Sequence, residues 1–289
     1  MVATPIGNLA DISLRALHTL ERVDVIACED TRHTAQLLQS YGLHKPLLAV
    51  HMHNEHEGAA QVIARLHSGQ RVAYVSDAGT PGVSDPGAVL VHAARTAGLR
   101  VIPLPGASSV TSLISAVGLL QSHQDWAQQG FVFTGFLPAK GAERAQALSA
   151  LKACTRSAVF MEAPHRLDKL AAELAPFGER ALTIGRELTK RFESITTLAC
   201  QDFSQWLKAS DVNSKGEFVL ALAPSPAAST SDSESVVLRT LAVLLAAVPL
   251  KTAVQLTVSL TGANKKVVYA AALAQQAKAT ASDDAPTDD

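Results

Sequence analysis

Glu29, Asp30, Thr31, Arg32 and His33 place two carboxylates, a guanidinium and an imidazole on five consecutive positions. The apolar run just before them, residues 23–28, has the composition of a strand. The charges therefore gather at a strand's carboxyl end, where open α/β sheets collect their ligands. Carboxylate and imidazole side by side suit proton transfer or substrate orientation. The same residues also read as the start of a helix capped by Asp30 or Thr31, with Arg32 in a surface pair.

A second segment, Ser76-Asp77-Ala78-Gly79-Thr80-Pro81-Gly82-Val83-Ser84-Asp85-Pro86-Gly87, leads from an apolar strand into an amphipathic helix. Asp85 and Pro86 are expected to be its N-cap and first helical residue. That leaves residues 77–83 as a Gly/Pro-rich loop, either a ligand cradle or a tight connection. Pro103-Leu104-Pro105-Gly106-Ala107-Ser108-Ser109 ends another apolar run, and its serines suit capping or a ligand. There is no G-x-G-x-x-G after a strand and no G-x-x-x-x-G-K-[ST], which argues against dinucleotides and nucleoside triphosphates. His51, His53 and His56 lack the spacing of a helical zinc site, and no metal is expected.

In the second half, Glu162-Ala163-Pro164-His165-Arg166 and Arg186-Glu187-Leu188-Thr189-Lys190-Arg191 follow strand-like runs and concentrate cations at loop positions. Phosphate contacts to RNA and an ordinary solvated turn both fit that composition. Gly216 precedes the last apolar run, at a turn or a close backbone approach.

The elements that hold these loops follow from hydrophobic periodicity. Strands are expected at 23–28, 46–50, 71–76, 100–104, 131–134, 157–161, 180–184 and 218–223. Helices are expected at 13–20, 34–40, 58–67, 86–97, 109–116, 143–152 and 165–174. Alternation of this kind predicts helices packed on largely parallel sheets. At 289 residues with 18% charged residues, the chain has room for two α/β domains. We divide it into domains at 1–118 and 119–224, a linker at 225–235, a basic helical module at 236–279 and a disordered acidic tail at 280–289. The module carries Arg239, Lys251, Lys265, Lys266 and Lys278 with no acidic residue, although the net charge of the whole chain is -1. Any polyanion would thus be met by a local patch. Cys28, Cys154 and Cys200 are few, odd in number and far apart, as suits a reducing cytoplasm; no export signal or membrane span is expected.

Taken together, these motifs resemble the ribosomal RNA small subunit methyltransferase I branch of the tetrapyrrole methylase superfamily. The likeness runs through Ala3-Thr4-Pro5-Ile6-Gly7-Asn8-Leu9, the clusters above, His53-Asn54-Glu55, Gly135-Phe136-Leu137-Pro138 and Lys215-Gly216-Glu217-Phe218. It implies two α/β domains of the tetrapyrrole methylase type with a cofactor cleft between them, plus a small C-terminal helical module. It also implies S-adenosyl-L-methionine as donor, a cytoplasmic homodimer, and 2′-O-methylation of a cytidine in the decoding region of 16S rRNA. The substrate is expected to be the small ribosomal subunit or its late precursor. The chain departs from the family at its start, where members usually carry several more apolar residues before Ala3, so full pairing of a first strand is not expected.

Carried over position by position, the resemblance puts the donor against Pro5, Asp77, Ala78, Gly79, Val83, Ser108, Ser109, Met161, Glu162 and Gly216. Glu29 or Asp30 becomes the proton acceptor or orienter, with Arg32 and Lys190 holding ribose and phosphate. Arg166, Arg186, Arg191, Lys265 and Lys266 become RNA contacts. Two other functions fit the same residues: a methylase of a tetrapyrrole precursor, and a ribosome-binding factor without catalysis.

Overall fold

The computed structural model describes residues 1–118, 130–225 and 230–283, without side chains for 230–235 and 275–283. The chain forms two compact units, Met1–Ser225 and Pro226–Asp289. Residues 119–129, the start of the second expected domain, lie outside the described residues.

In the first lobe of the larger unit, β1 (Val25–Cys28), β2 (Leu47–Ala49) and β3 (Val72–Val75) form a parallel sheet in the order β2-β1-β3. Its helices are α1 (Leu14–Arg22), α2 (Thr31–Ser40), α3 (Glu55–His67), α4 (Ala88–Thr96) and α5 (Ser109–Val117). The strand expected at 100–104 reduces to one bridge between Leu104 and Val2, which also bridges Val75. Leu104 N–H donates to Met1 C=O and Val2 N–H to Tyr74 C=O, so the chain's first residues are the pairing partner on that side. One residue of pairing is too little for a strand. A cavity of about 570 Å³, lined by residues including Val2, Val23, Arg71 and Ile102, opens there at the amino ends of β1 and β3. It lies at the end of the sheet away from the charged strand-end loops.

In the second lobe, β4 (Phe131–Phe136), β5 (Ser157–Glu162), β6 (Ala181–Arg186), β7 (Ser194–Ala199) and β8 (Phe218–Leu222) take the order β4-β5-β8-β6-β7. Only β4 and β5 pair in parallel, and β8 runs antiparallel to both β5 and β6. This corrects the expectation of largely parallel sheets. The segment between β6 and β7 is too short for the crossover that parallel pairing requires, so β7 folds back beside β6. Helices α6 (Gly141–Ala153) and α7 (Leu167–Leu174), with the short α8 (Phe203–Lys208), cover a core of Phe160, Leu170, Leu182, Phe203 and Leu220.

The smaller unit holds α9 (Thr230–Leu245), α10 (Leu250–Thr261) and α11 (Lys265–Asp283) around Leu241, Val254, Val268 and Ala272. α9 begins inside the segment read as a linker and α11 runs past Ala279 into the segment read as a tail. Thr, Ser and Asp at 230–232 are composition for a helix start as much as for a linker. Gly262, in a left-handed conformation, ends α10, and Asn264 Oδ1 accepts from Lys266 N–H at the start of α11. Lys265, Lys266 and Tyr269 are exposed on that first turn and a half. Among the described residues no helix is long and apolar enough to cross a membrane.

Candidate active site

The parallel strands of the first lobe deliver their loops to one edge. At the end of β1, Asp30 Oδ1 accepts from Arg32 N–H at 2.8 Å and His33 N–H at 3.3 Å, so Asp30 is the N-cap of α2. These bonds hold its carboxyl below the usual range. Arg32 projects into solvent, its side chain 93% exposed and 3.7 Å from Asp30. Glu29 is pushed up by burial and by Asp77.

At the end of β3, Asp77 Oδ1 accepts from Asp30 N–H at 3.2 Å, tying the two strand ends together. Gly79 exchanges both backbone hydrogen bonds with Thr4, at 2.9 and 3.0 Å, and Thr80 Oγ1 donates to Ala107 C=O. Pro5, the 77–79 turn and the 107–109 loop are thereby brought together. Gly79 has φ +86° and would set a Cβ 3.2 Å from Ile6. Its amide is already used, so its contribution is shape. Ser108 precedes α5 without a side-chain cap bond. Capping therefore does not occupy its hydroxyl.

Helix α4 starts at Ala88, not at Pro86, and its N-cap is Gly87 at φ +126°. The reason is a tie from outside the turn: Gly87 N–H donates to Glu55 Oε1 at 3.1 Å. The Ser-Asp-Pro-Gly stretch is held as a strained turn, with Ser84 at φ +64°. Asp85 is thus released from the capping role its sequence suggests. Burial, with Glu29 and Asp77 nearby, pushes its carboxyl up to about 6.

The second lobe closes the other side. Ile6 and Val83 pack in one apolar cluster with Met161, Leu188 and Val219. A cleft of about 270 Å³ opens among Ile6, Ser109, Met161, Gly185, Leu188 and Phe218. Ser84, Glu187 and Thr189 are the non-glycine residues with positive φ among the described residues, and all three belong to loops bordering this junction. Gly216, at φ +105°, lies where a Cβ would meet Glu187 at 2.6 Å. Glu187 Oε1 accepts from Glu217 N–H at 2.9 Å.

Several expected ligand contacts are committed elsewhere. Glu162, fully buried, pairs with Arg144 at 3.1 Å and with Arg166, and accepts from its neighbour Ala163 N–H, so most of its carboxylate is taken up within the lobe. Arg166 also donates to Leu137 C=O, and Arg186 to Lys215 C=O and Phe192 C=O. Both arginines are internal braces, which corrects their reading as RNA contacts. Lys190 Nζ lies 3.0 Å from Glu187 Oε1 and 3.1 Å from Glu217 Oε2. It pins the 187–190 loop and is not a free cation. Arg191 is exposed, its guanidinium 5.5 Å from the Phe192 ring centre.

A family model described as tetrapyrrole (corrin/porphyrin) methylases matches residues 1–202, and one described as the RsmI C-terminal HTH domain matches residues 230–276. A ribosomal RNA small subunit methyltransferase I from Escherichia coli O157:H7 is 45% identical over 278 residues, 96% of this chain and 94% of its own. The chain belongs to the ribosomal RNA small subunit methyltransferase I family. Another member, from Pseudomonas aeruginosa, is 43% identical over 281 residues, 96% of this chain and 97% of its own. Among solved structures, diphthine synthase shares the fold at TM-score 0.56 and 17% identity, over 77% of this chain and 88% of its own. Uroporphyrin-III C-methyl transferase from Thermus thermophilus, complexed with S-adenyl homocysteine, shares it at TM-score 0.51 and 17% identity, over 77% and 95%. The family's methyl donor is S-adenosyl-L-methionine, and the cleft fits such a group. Gly185 leaves space that a Cβ would fill, 2.7 Å from Leu113, and Thr189 Oγ1 is buried without a partner among the described residues. Ile6, Met161 and Leu188 offer apolar surface, and Ser109 a hydroxyl.

The sequence reading missed that Asp85 is not a cap, and Gly87 after Asp85-Pro86 was the visible sign that the turn needed a positive φ.

Proposed function

We propose that this protein transfers a methyl group from S-adenosyl-L-methionine to the ribose 2′-hydroxyl of a cytidine in the decoding region of 16S rRNA. Its substrate is the small ribosomal subunit or its late precursor, and it works in the cytoplasm as a homodimer. The observation that carries this reading is the near full-length likeness to relatives named for small-subunit rRNA methylation, including a match to their C-terminal module. The structural neighbours named for porphyrin chemistry align with 77% of the chain, which supports RNA over a tetrapyrrole precursor as the substrate.

Bound in the cleft, the donor supplies a methyl already activated by a sulfonium. The protein's task is to align the attacking hydroxyl, exclude water and take up a proton; alignment alone contributes up to ~7–11 kcal/mol in ideal cases. Pro5, the 77–79 turn, Val83, Ser108, Ser109, Met161 and the backbones of Glu162 and Gly216 surround the donor. Glu29 lies with the carboxyls at the substrate side, and exposed Arg32, Arg191, Lys265 and Lys266 meet RNA phosphates. A cytidine must leave its stacked neighbours to enter such a site, which favours an assembled subunit that presents it.

The test is mass mapping of 16S rRNA from subunits lacking the mark, before and after incubation with protein and donor. One new 2′-O-methylcytidine in the decoding region is the expected result. Unchanged RNA, with methylation of a porphyrinoid instead, would reverse the assignment.

A further inference from the structure

We propose that Phe136 is the stacking platform for the base of the target nucleotide, a positioning residue that holds the displaced base while its ribose faces the donor. The proposal rests on the RNA-methylating function above and names a side chain that would receive the nucleotide.

A bulge turns this ring onto the cleft. Along β4, Phe131, Val132 and Phe133 pair in parallel with Ser157, Ala158 and Val159 of β5, but the next pair is Phe136 with Met161. β4 therefore takes three steps where β5 takes two, and the extra residue falls at Thr134-Gly135, where Gly135 holds φ +68°. Without that insertion, strict alternation would set position 136 on the face opposite Phe133. The two faces of β5 differ in what they pack against: Ala158 and Phe160 belong to the core of the lobe, whereas Val159 and Met161 belong to the cluster that includes Ile6 and Val83. Phe136, opposite Met161, falls on the second face and lines the cleft with it.

The bulge is fixed on both sides. A Cβ on Gly135 would stand 3.1 Å from Ser84 Oγ, so the bulge rests against the strained turn of the first lobe. The next residue, Leu137, is 3% exposed and packs into the core of the second lobe. Between these two anchors Phe136 is 55% exposed. Gly185, Leu188, Phe218 and Val219, which line the same cleft, are buried. The cleft thus has a buried floor and, at its lip, an aromatic ring open to solvent.

Single exposed apolar side chains are ordinary. A ring turned by a glycine bulge onto a ligand cleft is a built feature, and bulges beside active sites commonly re-aim one side chain in this way. The buried floor suits the donor, and the ring at the lip meets what enters afterwards from solvent. A nucleotide whose 2′-hydroxyl is to reach the methyl leaves its neighbours and presents an unstacked face. Aromatic side chains restore that stacking whatever the base, because every base has a π-face. Phenylalanine has no hydrogen-bonding group, so it holds a base by its face and leaves the edges to other contacts. Four positions on, Lys140 is exposed, a cation suited to the phosphate of such a partner.

The experiment compares wild type with Phe136→Ala, Phe136→Leu and Phe136→Tyr in three measurements: kcat and KM for methyl transfer to small subunits lacking the mark, calorimetric affinity for S-adenosylhomocysteine, and melting temperature. The proposal expects Phe136→Ala and Phe136→Leu to lose ~5–150-fold in kcat/KM and Phe136→Tyr to recover most of that loss. All three should bind S-adenosylhomocysteine and melt as wild type does. Wild-type kcat/KM in Phe136→Ala or Phe136→Leu would overturn the stacking role, as would a Phe136→Tyr no better than Phe136→Leu. A fall in S-adenosylhomocysteine affinity that matches the fall in kcat/KM would give the ring to the adenine of the donor and overturn the role in the same way. These outcomes leave the function standing, whereas a wild-type protein that leaves the RNA unmethylated would overturn the function and the platform with it.

Discussion

The two lobes place ionisable groups at their strand ends in opposite ways. After β5 and β6, Glu162, Arg144, Arg166, Glu173, Glu187 and Lys190 form a paired network in which each carboxylate has a cation within 4 Å. After β1 and β3, Glu29, Asp77 and Asp85 lie together with no Lys or Arg ion pair among the described residues, and burial, followed by their mutual repulsion, pushes Glu29 and Asp85 up. Paired buried charges fix geometry and resist titration, whereas unpaired like charges near neutrality are poised to exchange protons. The second lobe thus fixes its strand ends by pairing, whereas the first lobe keeps ionisable groups open to proton exchange.

The largest expected effect breaks the second lobe's pairing. Glu162→Ala removes the fully buried one of two carboxylate partners of Arg144, whose side chain is 2% exposed and keeps Glu173 at 2.7 Å, and also removes a partner of Arg166. Loss of one partner from a buried pair costs about 3–5 kcal/mol. In a unit of this size that corresponds to a melting point lower by roughly ten degrees, measurable by calorimetry on the full chain. A variant that melts like wild type would mean that the network does not hold the lobe.

Next is the seam between that pairing and the cleft. Gly216→Ala forces φ +105° on an alanine and drives its Cβ to within 2.6 Å of Glu187. The strain amounts to about 1–3 kcal/mol, and displacing Glu187 also disturbs its bonds to Lys190 and Glu217. Weaker calorimetric binding of S-adenosylhomocysteine together with a lower melting point is expected. A loss of stability with full affinity would detach this loop from the donor.

A smaller effect, of opposite sign, belongs to the unpaired region. The Asp85 carboxyl sits at about 6 against a usual 3.8, so the folded state binds its proton more tightly than the unfolded chain. That preference stabilises the protein below about pH 4 and is lost as the pH rises through 6. Taken at face value the shift is ~3 kcal/mol, and solvent access reduces it to about 1. Asp85→Asn should therefore raise the melting point at pH 8 by roughly 2–4 °C. A lowered melting point there would show that the charge is not held at a cost.

Much of this contrast was legible in the residues, and the parts that were not have a common cause. Loops after β1, β3 and β5 were found because strand ends carry distinctive Gly, Pro and charged residues. β7 was missed because Ser194 to Ala199 is a half-exposed edge strand with no long apolar run. Asp85 is not the cap its sequence suggests because capping depends on where the helix starts, and Glu55, thirty-two positions before Gly87, moves that start. Arg166 and Arg186 looked like loop cations because sequence shows charge but not its partner. Long-range hydrogen bonds decide such cases, and local spacing carries no record of them.

Arg32 is the residue on which the comparison can be sharpened most finely, since it stands among the first lobe's acids yet outside their burial. Its side chain is 93% exposed, and its one ion pair, with Asp30, is 3.7 Å long. Exposed pairs of that kind contribute little to stability, so Arg32→Ala should leave the melting curve and the affinity for S-adenosylhomocysteine in place. An exposed arginine whose one ion pair among the described residues is long is suited to a phosphate. Removing one such contact reduces the slope of log kcat/KM against log salt concentration by ~0.7–0.9. An unchanged slope would place Arg32 outside the RNA footprint and leave Arg191 as the exposed guanidinium near the cleft to be tested in the same way.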